Sequence, residues 1–277
     1  MRMTDSGADS AFYHRLGVAD DGTERFAATD YTRSVWSTEM QHGSPPAALL
    51  VRAMERGHPR EGARLARVTV ELLGPVPVTE CRVRSRVLRP GRSIELLEAR
   101  MDAPMPDGSA RTVASARAWR MATEDTAMVQ RATDDRYPAG RPSADSGFGF
   151  FGAHEVVTFL DAVEWQWTSL AGDEEPGRVR VRGKVALVAG EEPTPLERMF
   201  CVIDAANGVG ATLDPREWTF LNTEMSVHIH RVPGVGLGIA AESSVGPDGV
   251  GMCTAVIHDE AGPVARTAQS LLVRRRI

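Results

Sequence analysis

The sequence predicts an α+β fold made of two similar halves, each with one helix packed on an antiparallel sheet. Two phrases nearly match: Ser-Ala-Arg-Thr-Val-Ala-Ser at residues 109–115 and Val-Ala-Arg-Thr-Ala-Gln-Ser at residues 264–270. They lie about 155 residues apart, so the repeat period is half of the 277-residue chain rather than that of a short solenoid unit. Each half also reads in the same order, as an extended run, one helix and then several strands.

In the first half, residues 24–36 are predicted to be extended, and a helix follows from residue 47 to near Gly57. Pro45 and Pro46 precede this helix, and proline is tolerated at a helix start because the first N–H groups have no partner inside the helix. Glycine and proline then separate the predicted strands. These strands are residues 65–73, 81–88, 94–101 and 111–121.

Residues 122–150 separate the two halves. They are rich in Asp, Pro and Gly and have no apolar periodicity, which predicts a surface linker. The predicted domains are therefore residues 1–121 and residues 151–277, with residues 122–150 between them.

The second half repeats the order of the first, with a predicted helix over residues 196–207 that Gly208 ends. In the strand predicted over residues 218–230, apolar and polar residues alternate, so one face of this strand packs and the other faces solvent or a partner. The remaining predicted extended segments are residues 156–170, 178–188, 237–245, 251–258 and 264–274.

Composition restricts the class of protein. With 42% hydrophobic and 25% charged residues, the chain is typical of a globular protein, and its net charge of -5 argues against a nucleic-acid partner. The three cysteines have no CxxC spacing, so neither a disulfide framework nor structural zinc is expected, and we predict a reducing, cytoplasmic location. The first ten residues are polar and no apolar run approaches the roughly 20 residues of a membrane span, so neither a signal peptide nor a membrane partner is expected.

Two polar residues of the second half stand where the first half has alanine. Superposing the halves on Gly57 and Gly208 places Asp204 opposite Ala53, and the repeated phrase places Gln269 opposite Ala114. A carboxylate in an apolar helix costs several kcal/mol unless it is hydrogen-bonded or takes part in chemistry. The alternative interpretations are a solvated helix-end Asp204 and a Gln269 at an exposed sheet edge.

The order of these residues resembles the type II acyl-CoA thioesterases. The resemblance includes the helix residue Asp204, a strand that ends in residues 228–231 (His-Ile-His-Arg) and the phrase Thr-Ala-Gln at residues 267–269. It covers about residues 22–275 and implies a double hotdog fold, in which two fused copies of a long helix are each wrapped by a curved antiparallel sheet. It also implies that an Asp, a Ser or Thr and a Gln of the second hotdog hold the attacking water.

By position, the Asp corresponds to Asp204 and the Gln to Gln269, but the hydroxyl residue does not match. Counting back from Arg231, the family's Thr falls on Asn222, while the nearest hydroxyl is that of Thr223, which strand alternation would point to the other face. Either Asn222 replaces the Thr, since an amide oxygen can accept a hydrogen bond from water, or a shift or bulge brings Thr223 into the site.

A positioned water and a carboxylate base can hydrolyse an acyl thioester without a Ser or Cys nucleophile, because the thiolate is a good leaving group. The sequence has no Gly-x-Ser-x-Gly elbow. We expect the loop at His42 and Gly43 to bind substrate, either by donating to the oxyanion or by lining the cleft. No cofactor is predicted, and no metal, because His228 and His230 share a strand face without a third ligand.

The predicted partner is an acyl-CoA or another acyl group on a phosphopantetheine arm, and the double hotdogs are expected to form a homo-oligomer. Two alternatives stay open. One is a hotdog hydratase or dehydratase, although no histidine follows Asp204 at the spacing that such enzymes use. The other is an acyl-thioester-binding protein in which Asn222 marks reduced or lost catalysis.

Overall fold

The computed structural model describes residues 10–105, 108–138, 148, 156–172 and 175–276. In the first half, one helix, α1 (Ser44–Gly57), follows two strands and precedes four more. The strands are β1 (Ala11–Val18), β2 (Glu24–Ala28), β3 (Ala63–Leu72), β4 (Glu80–Arg89), β5 (Ile94–Pro104) and β6 (Ala110–Ala122).

The second half contains the helices α2 (Pro195–Ile203) and α3 (Ala206–Val209). Thr194 caps α2: its hydroxyl accepts from the Glu197 amide, and the Glu197 carboxylate accepts from the Thr194 amide. The strands are β7 (Val163–Ser169), β8 (Gly177–Gly183), β9 (Ala186–Val188), β10 (Trp218–Asn222), β11 (Glu224–Ile229), β12 (Leu237–Val245), β13 (Val250–Asp259) and β14 (Gly262–Arg275).

All these strands form one sheet, in which the two halves have the same strand order. The first half runs β2-β4-β5-β6-β3 and the second runs β8-β12-β13-β14-β11. The halves meet where β3 pairs antiparallel with β11, with Val68 opposite Val227 and Val70 opposite Met225. The two sheet halves therefore lie side by side in one continuous sheet.

The helices lie together on one side of this sheet. α1 contacts α2 and also packs on β4, β5 and β6, while α2 and α3 pack on strands of the second half. Leu49, Leu50 and Met54 of α1 are fully buried, as are Met199 and Phe200 of α2. These side chains fill one apolar core shared by both halves, which fixes the start of α1 close to the end of α2.

Several parts of the sheet differ from the prediction. The segment predicted to be extended over residues 24–36 is a strand only as far as Ala28, that over residues 156–170 is a strand only from Val163 to Ser169, and that over residues 178–188 is divided into β8 and β9. β1 was not predicted, and β9 pairs with it in parallel, so that a strand of the second half forms the outer edge of the first. The strand predicted over residues 218–230 is divided into β10 and β11 at Thr223. The β1–β9 pairing and the division at Thr223 depend on contacts between segments far apart in the chain, which local alternation of polar and apolar residues does not predict.

The predicted helix over residues 196–207 is also divided, because α2 ends at Ile203. Asp204 and Ala205 keep right-handed helical angles, but the Ala205 amide donates to the Val202 carbonyl, three residues back. The Gly208 amide likewise donates to the Ala205 carbonyl rather than to Asp204. The Asp204 carbonyl is thereby free to accept from a side chain outside the helix.

The segment after β6 packs on the second half. The Tyr137 hydroxyl lies 2.9 Å from the Thr168 hydroxyl, and the Arg180 guanidinium lies 4.7 Å from the centre of the Tyr137 ring. The rest of the predicted linker, residues 139–147 and 149–150, lies outside the described residues, as do residues 1–9 of the polar N-terminal stretch. Within the described parts of the chain, no helix is long and apolar enough to cross a membrane.

Candidate active site

Asp204 lies directly after α2, with only 3% of the residue exposed. Asn222 Nδ2 donates to its Oδ1 at 2.6 Å. Gln269 Nε2 lies 3.3 Å from the same Oδ1 and 3.1 Å from the main-chain oxygen of Asp204. The structure thus brings together three of the four residues predicted to act on the substrate, and two of them direct amide N–H groups at the third.

Gln269 also explains why the helix is divided at Asp204. Its side chain reaches from β14 and donates to the Asp204 carbonyl, which would accept the Gly208 amide in a continuous α-helix. Burial makes this bond important, because an unpaired buried carbonyl would cost about 1–3 kcal/mol. The break in the helix and the placement of the carboxylate therefore share one cause.

A β-bulge follows Asn222, between Thr223, whose amide donates to the Ser270 carbonyl, and Ser226. Asn222 pairs with Leu271 and Ser226 pairs with Ala268, so β10 and β11 span one residue more than β14 over the same stretch. Asn222 faces Asp204, whereas Thr223 is exposed and no hydrogen bond joins its hydroxyl to Asp204. The bulge considered from the sequence is present, but the residue beside the carboxylate is Asn222.

The predicted loop of the first half reaches the same carboxylate. A Cβ added at Gly43 would lie 2.4 Å from Asp204 Oδ2, closer than such atoms can approach, so only glycine fits while both segments keep their positions. His42 lies beside it, with its Nδ1 3.6 Å from Asp204 Oδ2 and its ring stacked on Phe159. The candidate site is therefore built from both halves.

The pKa values of the two titratable groups in this site shift in opposite directions. Burial raises the pKa of Asp204 from 3.8 to about 6, although the hydrogen bonds from Asn222 and Gln269 act to lower it. Burial lowers the pKa of His42 from 6.5 to about 3. His42 Nδ1 also accepts the Ser44 amide at 3.1 Å, so this nitrogen carries no proton, and the 3.6 Å contact with Asp204 is not an ion pair.

A pocket of about 290 Å³ opens beside the carboxylate. Asp204, Asn222, Thr223, His42 and Gly43 all line it, while Gln269 lies behind Asp204. The apolar part of its wall comes from both halves. This wall contains Trp36, Met40, Leu72, Val76, Leu221 and Leu272.

Sequence reasoning missed two polar residues that line the pocket, Ser34 and Asn207, whereas Gln41, which also lines it, belongs to the loop that was predicted to bind substrate. Asn207 is buried one helical turn after Asp204, a spacing that could have identified it. Gln41 accepts from the Tyr13 hydroxyl at 2.6 Å and donates to the Pro77 carbonyl at 2.7 Å. These long-range bonds fix the loop before Gly43, and no local pattern indicates them.

The corresponding position of the first half holds no carboxylate. Ala53 and Ala114 are both buried, and the Ala53 carbonyl accepts from the Ser85 hydroxyl at 2.7 Å. Beside Ala53, the Arg52 guanidinium donates to Glu191 at 2.7 Å and to Glu24 at 2.9 Å. Ion pairs therefore lie beside α1 where the second half has its pocket.

The structure also locates the two histidines considered as metal ligands. His228 lies on β11 and His230 follows the end of that strand, both on the exposed surface. Among the described residues, no group of three or more His, Cys, Asp or Glu side chains has a geometry that could hold a metal ion.

Solved structures similar to this chain share the hotdog fold. A hot dog fold protein from Alicyclobacillus acidocaldarius is 14% identical, with a TM-score of 0.67, covering 99% of this chain and 100% of that one. The acyl-CoA thioesterase II TesB2 of Mycobacterium marinum is 14% identical, with a TM-score of 0.64, covering 95% and 96%. The tesB protein of Mycobacterium avium subs paratuberculosis is 14% identical, with a TM-score of 0.60, covering 90% and 92%.

Comparison with the curated proteins finds no match to the chain. Two protein-family profiles do match it. The profile of the acyl-CoA thioesterase N-terminal domain matches residues 32–121, and that of the acyl-CoA thioesterase C-terminal domain matches residues 132–273. The C-terminal profile alone matches more than half of this chain, so the chain belongs to the acyl-CoA thioesterase family.

Proposed function

We propose that the chain hydrolyses acyl-CoA thioesters with a water molecule that Asp204 activates. The observation that carries this proposal is the Asp204 carboxylate itself, which lines a pocket with Oδ1 held by two amides. Its Oδ2 accepts no hydrogen bond from the part of the chain that the structure describes. Asp204 thus has one oxygen that fixes its orientation and one left to take a proton.

The pKa of Asp204, raised to about 6, suits a general base. Such a group is mostly ionised at neutral pH and is still basic enough to take a proton from water in the transition state. The water oxygen attacks the thioester carbonyl while its proton passes to Asp204. The C–S bond then breaks, the leaving sulfur takes the proton from Asp204, and a carboxylic acid and a free thiol are formed while Asp204 returns to its ionised state.

Gly43 is the proposed donor to the oxyanion. At the start of α1, Pro45 and Pro46 have no N–H, and the Ser44 amide donates to His42 Nδ1. The Gly43 amide makes no hydrogen bond within the described residues, and Gly43 lines the pocket. A free backbone N–H at a helix N-terminus is suited to stabilise the negative charge that develops on the carbonyl oxygen.

Asn222 and Gln269 orient Asp204 and the water in this proposal. Each donates through its amide nitrogen to Asp204, and Asn222, which lines the pocket, keeps its amide oxygen available to accept from the water. Gln269 Oε1 is buried and has no hydrogen-bond partner in the described structure. We assign the third position of the site to Asn222 rather than Thr223, because only Asn222 contacts the carboxylate.

We also propose that the chain is a double hotdog, formed by fusion of two copies over residues 1–121 and 151–277, with residues 122–150 as the linker. The common strand order of the two sheet halves and the phrase repeated at 109–115 and 264–270 support this proposal. The cytoplasmic location and the homo-oligomer stay predictions.

A hydratase or dehydratase is the second candidate, because the structure places His42 3.6 Å from Asp204, a contact between the halves that no spacing along the chain showed. Such an enzyme needs a base that takes a proton from carbon. His42 is poorly suited, since burial lowers its pKa to about 3 and the Ser44 amide donates to its Nδ1. Asp204, with a pKa nearer neutrality, is the better base, which favours hydrolysis.

A thiol-release assay across acyl-CoAs tests the proposal. The pocket volume of about 290 Å³ is at the low end for ligand sites, so the series should begin with short acyl groups. We expect release of free CoA by the wild type and its loss in Asp204→Asn. A 3-hydroxyacyl-CoA, followed by absorbance of the enoyl product, tests the second candidate. Binding of acyl-CoA without release of thiol or formation of enoyl product would instead identify a binding protein.

A further inference from the structure

We propose that Arg111, at the rim of the candidate pocket, binds the phosphate groups of the thioester's carrier. This inference rests on the proposed function and extends it to the charged end of the substrate. The carrier is CoA or a phosphopantetheine arm, and both carry phosphate at the end remote from the sulfur. A chain with a net charge of -5 needs a local cation to hold such a group.

Arg111 lies at the right place. It is exposed on β6 opposite Ala103, and a Cβ added at Gly74 would lie 3.2 Å from its Nη2. Gly74 and the neighbouring Leu72 line the pocket that contains Asp204. The Arg111 guanidinium is therefore at the pocket opening, on the side formed by the end of β3.

Arg111 is also unpartnered. In the part of the chain that the structure describes, its guanidinium makes no ion pair and no hydrogen bond. Most arginines of this chain that lie on the sheet surface contact a carboxylate, as Arg86 and Arg100 do with Glu98. An uncompensated planar guanidinium matches the geometry of phosphate oxygens.

The repeat provides an internal comparison. Arg111 and Arg266 occupy the same position in the two matching phrases, three residues before Ala114 and Gln269. Arg266 Nε donates to Asp134 Oδ2 at 2.9 Å, so a carboxylate of the segment after β6 neutralises the charge of Arg266. The two arginines therefore differ in the feature that matters for anion binding, which is the presence of a carboxylate.

A groove beyond Arg111 provides room for the rest of a nucleotide. It has a volume of about 590 Å³ and is lined by Leu73 and Thr112, the chain neighbours of Gly74 and Arg111. Three arginines line it against two glutamates, and Arg67 has a buried Nε without a hydrogen-bond partner. Leu72 lines the pocket and Leu73 the groove, so the groove begins on the opposite face of the sheet at the same end of β3.

The test measures the Kd of CoA, 4′-phosphopantetheine and pantetheine for the wild type, Arg111→Gln and Arg266→Gln. We expect Arg111→Gln to weaken CoA binding about tenfold, as for loss of one charge-assisted hydrogen bond, and to leave pantetheine binding unchanged. Arg111→Lys should restore part of the loss, and Arg266→Gln, which removes the same charge, should bind CoA like the wild type. Equal loss for CoA and phosphopantetheine identifies the phosphate that both carriers share, and a larger loss for CoA identifies the nucleotide.

Equal CoA affinity in Arg111→Gln and Arg266→Gln would overturn this inference. So would a loss of pantetheine binding as large as the loss of CoA binding. Binding needs no turnover, so a wild type that hydrolyses no thioester but binds CoA through Arg111 contradicts the proposed function alone. In an active enzyme, Arg111→Gln should raise KM for acyl-CoA, leave kcat near the wild-type value and leave acyl-pantetheine hydrolysis unaffected.

Discussion

Asp204 combines two properties that oppose each other, since it is buried and yet proposed to work as a charged base. Burial raises its pKa to about 6, and the amides of Asn222 and Gln269 limit the shift by donating to Oδ1. With those two donors present, the ionised form is tolerated at neutral pH without a nearby cation. A residue with an ordinary pKa would be a weaker base.

We expect Asp204→Asn to lower thioesterase turnover on the order of 10²–10⁴-fold, because the base is lost while the shape of the side chain is kept. In the wild type, kcat/KM should fall as the pH drops below about 6, where Asp204 becomes protonated. Initial rates of thiol release over pH 5–8 measure both. The matched control is Asp214→Asn, which alters a partly exposed carboxylate paired with Arg216. Turnover of Asp204→Asn above half of the wild-type value would contradict the role of base.

The same substitution should stabilise the protein at neutral pH. Because the pKa of Asp204 is 3.8 unperturbed and about 6 in the fold, between these values the folded state holds a proton that the unfolded state has lost. The free energy of unfolding therefore falls as the pH rises through this range, by on the order of 3 kcal/mol in total. Asp204→Asn lacks this cost. The difference in the free energy of unfolding between the variant and the wild type should therefore be greatest above pH 6 and shrink toward pH 4.

Denaturant unfolding of both proteins at several pH values measures this effect. Asp259 provides a control of opposite sign: the guanidinium of Arg231 and the amides of Gly234 and Ala261 overcome its burial and hold its pKa at about 2. Ionised Asp259 stabilises the fold above the unfolded pKa of 3.8, and this stabilisation is lost as the pH falls toward 2. Asp259→Asn should therefore destabilise the fold at neutral pH. An Asp204→Asn variant less stable than the wild type at pH 7 would refute the expected cost of burial.

At the scale of elements, the site depends on the close approach of two helix ends. The start of α1 contacts the end of α2 through the Gly43 backbone, with no side chain between them. Two prolines begin α1 and remove competing amide donors, and one glutamine divides α2 from α3. The two prolines and the glutamine each act on the backbone of one helix end, but together they shape the site only where the two halves meet.

Gly43→Ala should therefore damage the site more than the fold. The added Cβ would lie 2.4 Å from Asp204 Oδ2, so either the carboxylate or the loop must move, and a displacement of about 1 Å can cost on the order of 100-fold in rate. Turnover and the midpoint of thermal unfolding should be measured together. The control is Gly183→Ala, where the nearest atom to an added Cβ is 3.9 Å away. Equal turnover in the two variants would show that Gly43 does not set the position of Asp204.

Local patterns predicted much of this arrangement and failed where distant segments decide the structure. Glycine and proline marked most strand ends, and the repeat identified Asp204 and Gln269 as residues that differ from their first-half counterparts. The division of the helix at Asp204 was not predictable, because the cause is a hydrogen bond from Gln269, 65 residues away. The bulge between Thr223 and Ser226 depends on the register of β10 and β11 with β14, so the sequence alone could not decide between Asn222 and Thr223 as the site residue.

At the scale of the whole molecule, the two halves contribute unequally to the pocket. The pocket uses the loop at His42 and Gly43 from the first half and Asp204, Asn222 and Gln269 from the second. The reciprocal combination would use the loop before α2 and the middle of α1. There, Glu191 of the loop binds Arg52, and Glu197 at the start of α2 accepts from Arg56 at 2.8 Å. These ion pairs join the two halves where a second site would otherwise form.

We therefore predict one substrate site per chain. Ala53 and Ala114 replace Asp204 and Gln269 in the first half, and neither methyl group can orient a water. The nearly buried Arg52, only 4% exposed, is held by Glu24 and Glu191, so opening this region to a ligand would separate desolvated charges at a cost of several kcal/mol. Titration with a non-hydrolysable acyl-CoA analogue should saturate near one ligand per chain, measured by calorimetry. Ala53→Asp adds a carboxylate beside these ion pairs and should leave the ratio of ligand to chain unchanged. Binding of two ligands per wild-type chain would show that both halves bind substrate. Ligand density beside Ala53 and Ala114 in a crystal of the complex would show the same.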